Sequence, residues 1–167
     1  MDLDAWLTRL QDLEFATVIR ENGSIFPWVE SVHVLGLTTV IGTIAVLDVR
    51  LLGLGLRDRP VRKVLADVLP CTWIAFVISV ISGLLLFASN ALTYAHNPFF
   101  RAKLGILLLI AVNAAVFARW TAPGLDAWDT APTPPPRARV SGAVSIALWV
   151  GVVVCGRWIG FTRLAER

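Results

Sequence analysis

Ligand-forming and cross-linking residues are scarce: the 167 residues include two histidines, two cysteines, one methionine and one tyrosine. A mononuclear zinc or copper site gathers three or four imidazole or sulfur ligands, and His33, His96, Cys71 and Cys155 are too few and too scattered to supply one. Cys71 falls near the start of one apolar run and Cys155 in the later half of another. If the runs alternate in direction the two lie at opposite depths, which predicts buried thiols and no disulfide. No GxGxxG, P-loop, HExxH or EF-hand pattern occurs, and no residue grouping suggests nucleophilic hydrolysis. Charge is also sparse, at 16% of residues.

Apolar residues are abundant instead. They make up 56% of the chain, with a mean hydropathy of +0.70, against roughly 45–50% in soluble domains, so a soluble fold is excluded. The formal charge of +3 and pI near 9.4 come mostly from bases that flank apolar segments. Anionic lipid headgroups are a sufficient partner for them, and nucleic acid is not called for.

The organising stretch runs from Pro27 to Leu56. Its centre, Ser31–Leu47, has no formal charge apart from His33, and a helix rising ~1.5 Å per residue nearly crosses a ~30 Å hydrocarbon layer over that length. Four spans are predicted, at about 28–56, 66–90, 98–120 and 140–162. Residues 1–24 place Leu3, Trp6, Leu7, Leu10 and Leu13 at helical spacing among charges, which predicts one amphipathic helix lying in the interface. Its terminus (Asp2, Asp4) is acidic and lacks a basic n-region, so it is not read as a cleavable signal.

Arg57, Arg59, Arg62 and Lys63 make the loop after the first span basic. The positive-inside rule then puts that loop in the cytoplasm and both termini outside. Asp48 and Arg50 read as a snorkelling pair that marks the inner boundary. Pro70 is expected in the first turn of the second span. Asn90–Asn97 reads as a loop, and Asn97-Pro98 as an N-cap and first-turn pair. Residues 121–139, with Pro123, Pro132, Pro134, Pro135 and Pro136, read as a cytoplasmic linker unable to form a core. Trp28, Trp120 and Trp158 suit the interfaces, while Trp73 and Trp149 lie deeper and are expected to pack inside.

Depth counting brings the polar residues of several spans to one level. His33 is six residues past Pro27, Lys103 five past Pro98, and Arg157 about one turn before the end of the fourth span, with Arg101, Glu30 and His96 slightly further out. Ionisable groups at membrane depth cost ~2.5–3.5 kcal/mol each at the centre on insertion scales, so a group of them needs mutual compensation or a ligand. One reading is an ion-pair layer between Glu30 and Arg101, Lys103 or Arg157. The other makes His33 the ligand of a haem iron, with Lys103, Arg101 and Arg157 receiving the propionates and His96 available as a second ligand.

The stretch HVLGLTTVIGTIAVLDVRLLGLGL from His33, followed by NPFFRAKLGILLLI from Asn97, resembles a family of small uncharacterised bacterial four-span membrane proteins, which brings no assigned activity. More distantly, the early histidine, Arg50-Leu51 and Lys103-Leu104 are similar to the HemJ-type protoporphyrinogen IX oxidases, and the histidine to CopD-like membrane domains. Where HemJ-type proteins tend to carry a histidine about ten residues after the lysine, this chain has Asn113. The resemblance implies haem b on His33 and an anionic group or substrate at Lys103. The expectation is therefore an all-α, four-helix transmembrane bundle of the bacterial inner membrane with an interfacial N-terminal helix. Its function is haem or porphyrin binding in electron transfer, or else that of an accessory subunit of a membrane complex or a small transporter.

Overall fold

A computed structural model describes residues 3–165, with side chains as far as Thr162. Met1, Asp2, Glu166 and Arg167 lie outside the described residues, so the acidic start at Asp2 and the basic C-terminal end are not placed. Seven α-helices account for most of the fold: α1 (Leu3–Gln11), α2 (Glu14–Glu21), α3 (Ile25–Leu52), α4 (Val61–Ser89), α5 (Ala91–His96), α6 (Pro98–Val116) and α7 (Pro136–Ala165). Four helical segments are long and apolar enough to cross a membrane: Ile25–Leu52, Val61–Ser89, Pro98–Ala127 and Pro136–Thr162. The chain is a multi-pass membrane protein with the all-α four-span architecture its sequence predicts.

Exposure is the inverse of that in a soluble protein. Leu35, Ile74, Leu84 and Leu108 are all more than 60% exposed, as suits side chains that face hydrocarbon, whereas Ser79, Ser82, Ser141 and Ser145 are buried. Trp73 belongs to the outward group. It is 62% exposed and meets Phe76 edge-on at 5.8 Å, so the expectation that it packs inside is corrected. Trp149 does sit in the core, with Val40, Ala75 and Val152.

α3 is the central helix, packing along both α4 and α7, while α6 packs along α7. The backbones of α4 and α6 come together at most in passing, and their seam is closed by side chains. At one end Phe87 and Phe100 stack at 5.4 Å with Tyr94 against both. Further along, the α6 residues Ile106, Leu107 and Ile110 reach the central cluster. No residue of α6 is fully buried, and beyond the half-buried Phe99 and Phe100 its half-buried positions 103, 106, 107, 110 and 113 form one inward stripe at helical spacing.

Contacts between helices depend on small residues, because lipid tails are as apolar as leucine and leave little hydrophobic drive for helices to associate. A Cβ added at Gly36 of α3 would stand 2.6 Å from Ser79 Oγ of α4. On the other side of α3, one at Gly142 of α7 would stand 3.1 Å from the Asp48 carbonyl oxygen.

The amphipathic N-terminal segment is two helices rather than one. Leu13 is extended between them, and Arg20 spans the break by donating to the Gln11 carbonyl at 2.9 Å and the Ser89 carbonyl at 3.3 Å. These carbonyls would otherwise be orphaned at a helix end. Leu7, Ala16 and Ile19 face the bundle. The segment Asn90–Asn97, expected as a loop, contains α5, and Asn97 caps α6 by accepting from the Phe99 and Phe100 amides.

The opposite end departs most from expectation. α4 starts at Val61, so Arg62 and Lys63 lie in its first turn, and Pro70 is an interior residue rather than a first-turn one. The proline-rich segment is no open linker. After a π-turn (Phe117–Thr121) and a 3₁₀ turn (Ala122–Ala127), it folds against the bundle and contributes Leu125 and Trp128 to a cluster with Leu47, Leu51, Val61 and Val64. Pro134 is fully buried there and sits against Gly53, the left-handed cap of α3 at φ +71°.

Arg50 holds this segment down. It is 0% exposed and donates through Nε to the Arg59 carbonyl at 2.8 Å and through Nη2 to the Asp129 and Ala131 carbonyls at 3.2 and 3.0 Å. The expected snorkelling pair is therefore corrected: both Asp48 and Arg50 are buried. The loop carbonyls, unavailable to any helix ladder, give the guanidinium acceptors within reach of α3.

Two stability changes follow. Gly36→Ala should lower stability by ~1–3 kcal/mol through overpacking, read by detergent unfolding of the full chain, and adding Ser79→Ala should restore part of the loss. Arg50→Met should cost about 3 kcal/mol, since it strands buried carbonyls, and limited proteolysis should then cut within residues 121–135, which the native protein protects.

Candidate functional site

The sequence places a histidine one-third of the way along α3 with small residues opposite it on α4, and the structure uses both. His33 Nδ1 lies 2.9 Å from the Ser79 carbonyl oxygen and 3.3 Å from Ser82 Oγ. A carbonyl only accepts, so Nδ1 carries the hydrogen of the shorter bond, and in the neutral ring Nε2 then keeps the lone pair. Ser82 Oγ itself donates to the Ile78 carbonyl at 2.6 Å, which leaves its own lone pairs facing the histidine. The ring also lies against Gly83, where an added Cβ would come within 3.0 Å of Cε1. Glycine there lets the imidazole approach the α4 backbone closely.

Lys103 heads the inward stripe of α6 and is half-buried. Its ammonium is within electrostatic range of the His33 ring and of Cys155 on α7. All four spans thus contribute to one layer: His33 from α3, Ser79, Ser82 and Gly83 from α4, Lys103 from α6 and Cys155 from α7.

The other predicted site residues are not brought in. Arg157 is exposed, its guanidinium 4.8 Å from the centre of the Phe161 ring on its own helix. Arg101 and Glu30 are exposed as well. His96 is at the surface, donating from Nδ1 to the Leu92 carbonyl at 3.0 Å, with Nε2 3.5 Å from Asp4 of α1. Ion pairs among the described residues join Arg20 to Glu21, Arg59 to Asp67, Arg62 to Asp126 and His96 to Asp4. The layer between Glu30 and the cations of α6 and α7 does not form among them.

Sequence reasoning missed Cys155 as a member of the layer. The signal was available: Ser141, Ser145, Trp149, Val152, Cys155 and Ile159 follow the 3.6-residue period on α7, and Arg157, two residues on, falls on another face. Asn113, which stands where the resemblance led one to look for histidine, ties α6 to α7. It donates to the Ser141 carbonyl at 3.1 Å and accepts from Ser141 Oγ at 3.3 Å.

A family described as a family of unknown function, DUF6644, matches residues 14–162 of the chain. The chain belongs to that family. Its matched region takes in α2 through α7 and with them the whole His33 layer, while α1 lies outside it. No curated protein and no solved structure matches the chain at a significant level. The geometry of the DUF6644 layer is therefore the ground for any functional assignment.

The orientation of His33 can be checked directly. In ¹⁵N NMR spectra of the labelled protein, the hydrogen-bonded Nδ1–H of His33 should be protected from exchange. Ser82→Ala should keep that signal, because the shorter bond goes to a backbone carbonyl, whereas Gly83→Val should abolish it by displacing the ring.

Proposed function

We propose that this protein is a haem- or porphyrin-binding membrane protein acting in electron transfer, with His33 as the axial ligand. The observation that carries the reading is the tautomer imposed at His33. An imidazole that gives Nδ1–H to a backbone carbonyl and keeps its Nε2 lone pair is held as metal-ligating histidines are, with the nitrogen away from the metal donating to a carbonyl. Among the described residues no three His, Cys, Asp or Glu side chains gather into a metal-ion site. A group that brings most of its own donors and asks for one axial nitrogen suits this layer better than a bare ion.

Lys103 supports the same reading, since a half-buried ammonium within electrostatic range of the His33 ring provides for the carboxylates such a macrocycle carries. The α4–α6 seam is closed by aromatic side chains rather than by backbone contact, so a flat apolar group would have to displace those side chains to enter there. When bound, the group would supply one-electron redox chemistry. The chain's part is to fix the imidazole, balance the carboxylates and keep water out. Arg157, Arg101 and His96 stand too far out to share in this. In a bacterial inner membrane the basic end at Arg57–Lys63 faces the cytoplasm, and α1 and α2 lie at the outer interface with the termini outside.

The test is an absorption spectrum of the full-length protein extracted in mild detergent from its native host. A Soret band is expected; it should disappear in His33→Ala and persist, with weaker haem retention, in Lys103→Met. A colourless protein that remains colourless when haem is added would overturn the assignment. The unburied outer face of α6 favours a second reading, an accessory subunit of a membrane complex. That reading expects a partner that copurifies persistently, and no chromophore.

A further inference from the structure

Near the Arg50 end of α3, away from the His33 layer, a second ionisable group is enclosed with no charge to balance it. Asp48 is 3% exposed, four residues before the end of α3, or ~6 Å along the axis. Its Oδ2 is buried and has no hydrogen-bond partner among the described residues. The neighbouring donor to the carboxyl is the hydroxyl of Ser145 on α7, itself buried.

Close approach of α7 at Gly142, where an added Cβ would stand 3.1 Å from the Asp48 carbonyl oxygen, seals the side chain between α3 and α7. Arg50, two positions along, lies on another face of the helix; its Nε and Nη2 donate to loop carbonyls, and its Nη1 is buried without a partner among the described residues. The other basic groups of this end are Arg57 and Arg59 in the loop after α3, Arg62 and Lys63 on α4, Arg119 after α6, and Arg137 and Arg139 on α7. All are exposed. The groups of this region on the remaining faces are neutral: Thr43 bonded to Thr72 between α3 and α4, and Asn113 bonded to Ser141 between α6 and α7.

We propose that Asp48 is a proton-binding site in the membrane interior, with one proton held on Oδ2 and the Ser145 hydroxyl donating to the other carboxyl oxygen. The balance is simple: the carboxylate takes up one proton and becomes a neutral carboxylic acid, with no other reactant. An ionised carboxylate sealed in this seam would lack both solvent and counter-ion, a cost that proteins avoid by pairing or neutralising the group. A metal cation would need several more oxygens than one carboxylate oxygen and one hydroxyl provide. Losing the proton would place a bare charge in the α3–α7 contact, so proton occupancy and the packing of α7 on α3 are coupled. The site is independent of the haem reading and would stand without it.

The test is infrared spectroscopy of the full-length protein in phosphatidylcholine vesicles at neutral pH. A carboxylic-acid carbonyl band should be present, shift in D₂O, and be missing from Asp48→Asn. Ser145→Ala should move the band to higher frequency, because a hydrogen bond donated to a carbonyl oxygen lowers its stretching frequency, and a role confined to packing would not produce that shift. A wild-type spectrum identical to that of Asp48→Asn would overturn the proposal. So would a band that vanishes when sodium replaces choline at constant pH, which would make a metal cation the ligand. Should Asp48→Asn not fold, Ser145→Ala carries the test: a band left unmoved by it would reject the site as drawn.

Discussion

The close approach of α3 to its two neighbours is the contact on which the rest of the molecule depends. In hydrocarbon, two helices gain little from hiding apolar surface, so they associate where their surfaces fit closely enough for dispersion and hydrogen bonding to act. α3 has such a fit on both sides, through Gly36 against Ser79 of α4 and through its own backbone at Asp48 against Gly142 of α7. With α3 so held, His33 is delivered to the Ser79 carbonyl and Asp48 to Ser145. A helix displaced by a single side-chain width at either seam would lose the corresponding polar contact.

Polar groups in the interior are arranged in layers rather than scattered. One layer, near the α5 end, contains His33, Ser82, Lys103 and Cys155. A second runs through Thr72, Thr43, Asp48, Ser145, Ser141 and Asn113 across all four spans. Between them lies the apolar cluster of Val40, Ala75, Trp149 and Val152. Since each unpaired polar group in such a medium is costly, the layers act as registers, and a helix shifted along its axis would leave hydroxyls and amides without partners. Below the second layer, Arg50 pins the proline-rich segment and turns a chain of breakers into part of the core.

Much of this was legible beforehand. The four spans, the cap at Asn97 and the common level of His33 and Lys103 follow from hydropathy, turn chemistry and counting residues along helices. Facing was harder. Arg157 and Lys103 stand at similar depth, but a helix carries each residue at ~100° to the next, so depth alone does not tell inward from outward. Arg157 packs on Phe161 at the surface, and Cys155, two positions earlier, joins the layer. Asp48 and Arg50 misled for a related reason. Charges near a span end usually reach for water, and only the folded-back segment 121–135, whose contacts are remote in sequence, encloses them.

By itself the sequence determined the solvent and the architecture, because apolar runs of this length leave no alternative to helices whose backbone polar groups are satisfied within each segment. Which polar side chains meet was decided by the tertiary structure. Helix rotation and the return of the proline-rich segment are set by packing among glycines and serines from different spans, and those fits depend on shape across the bundle, which no local pattern encodes.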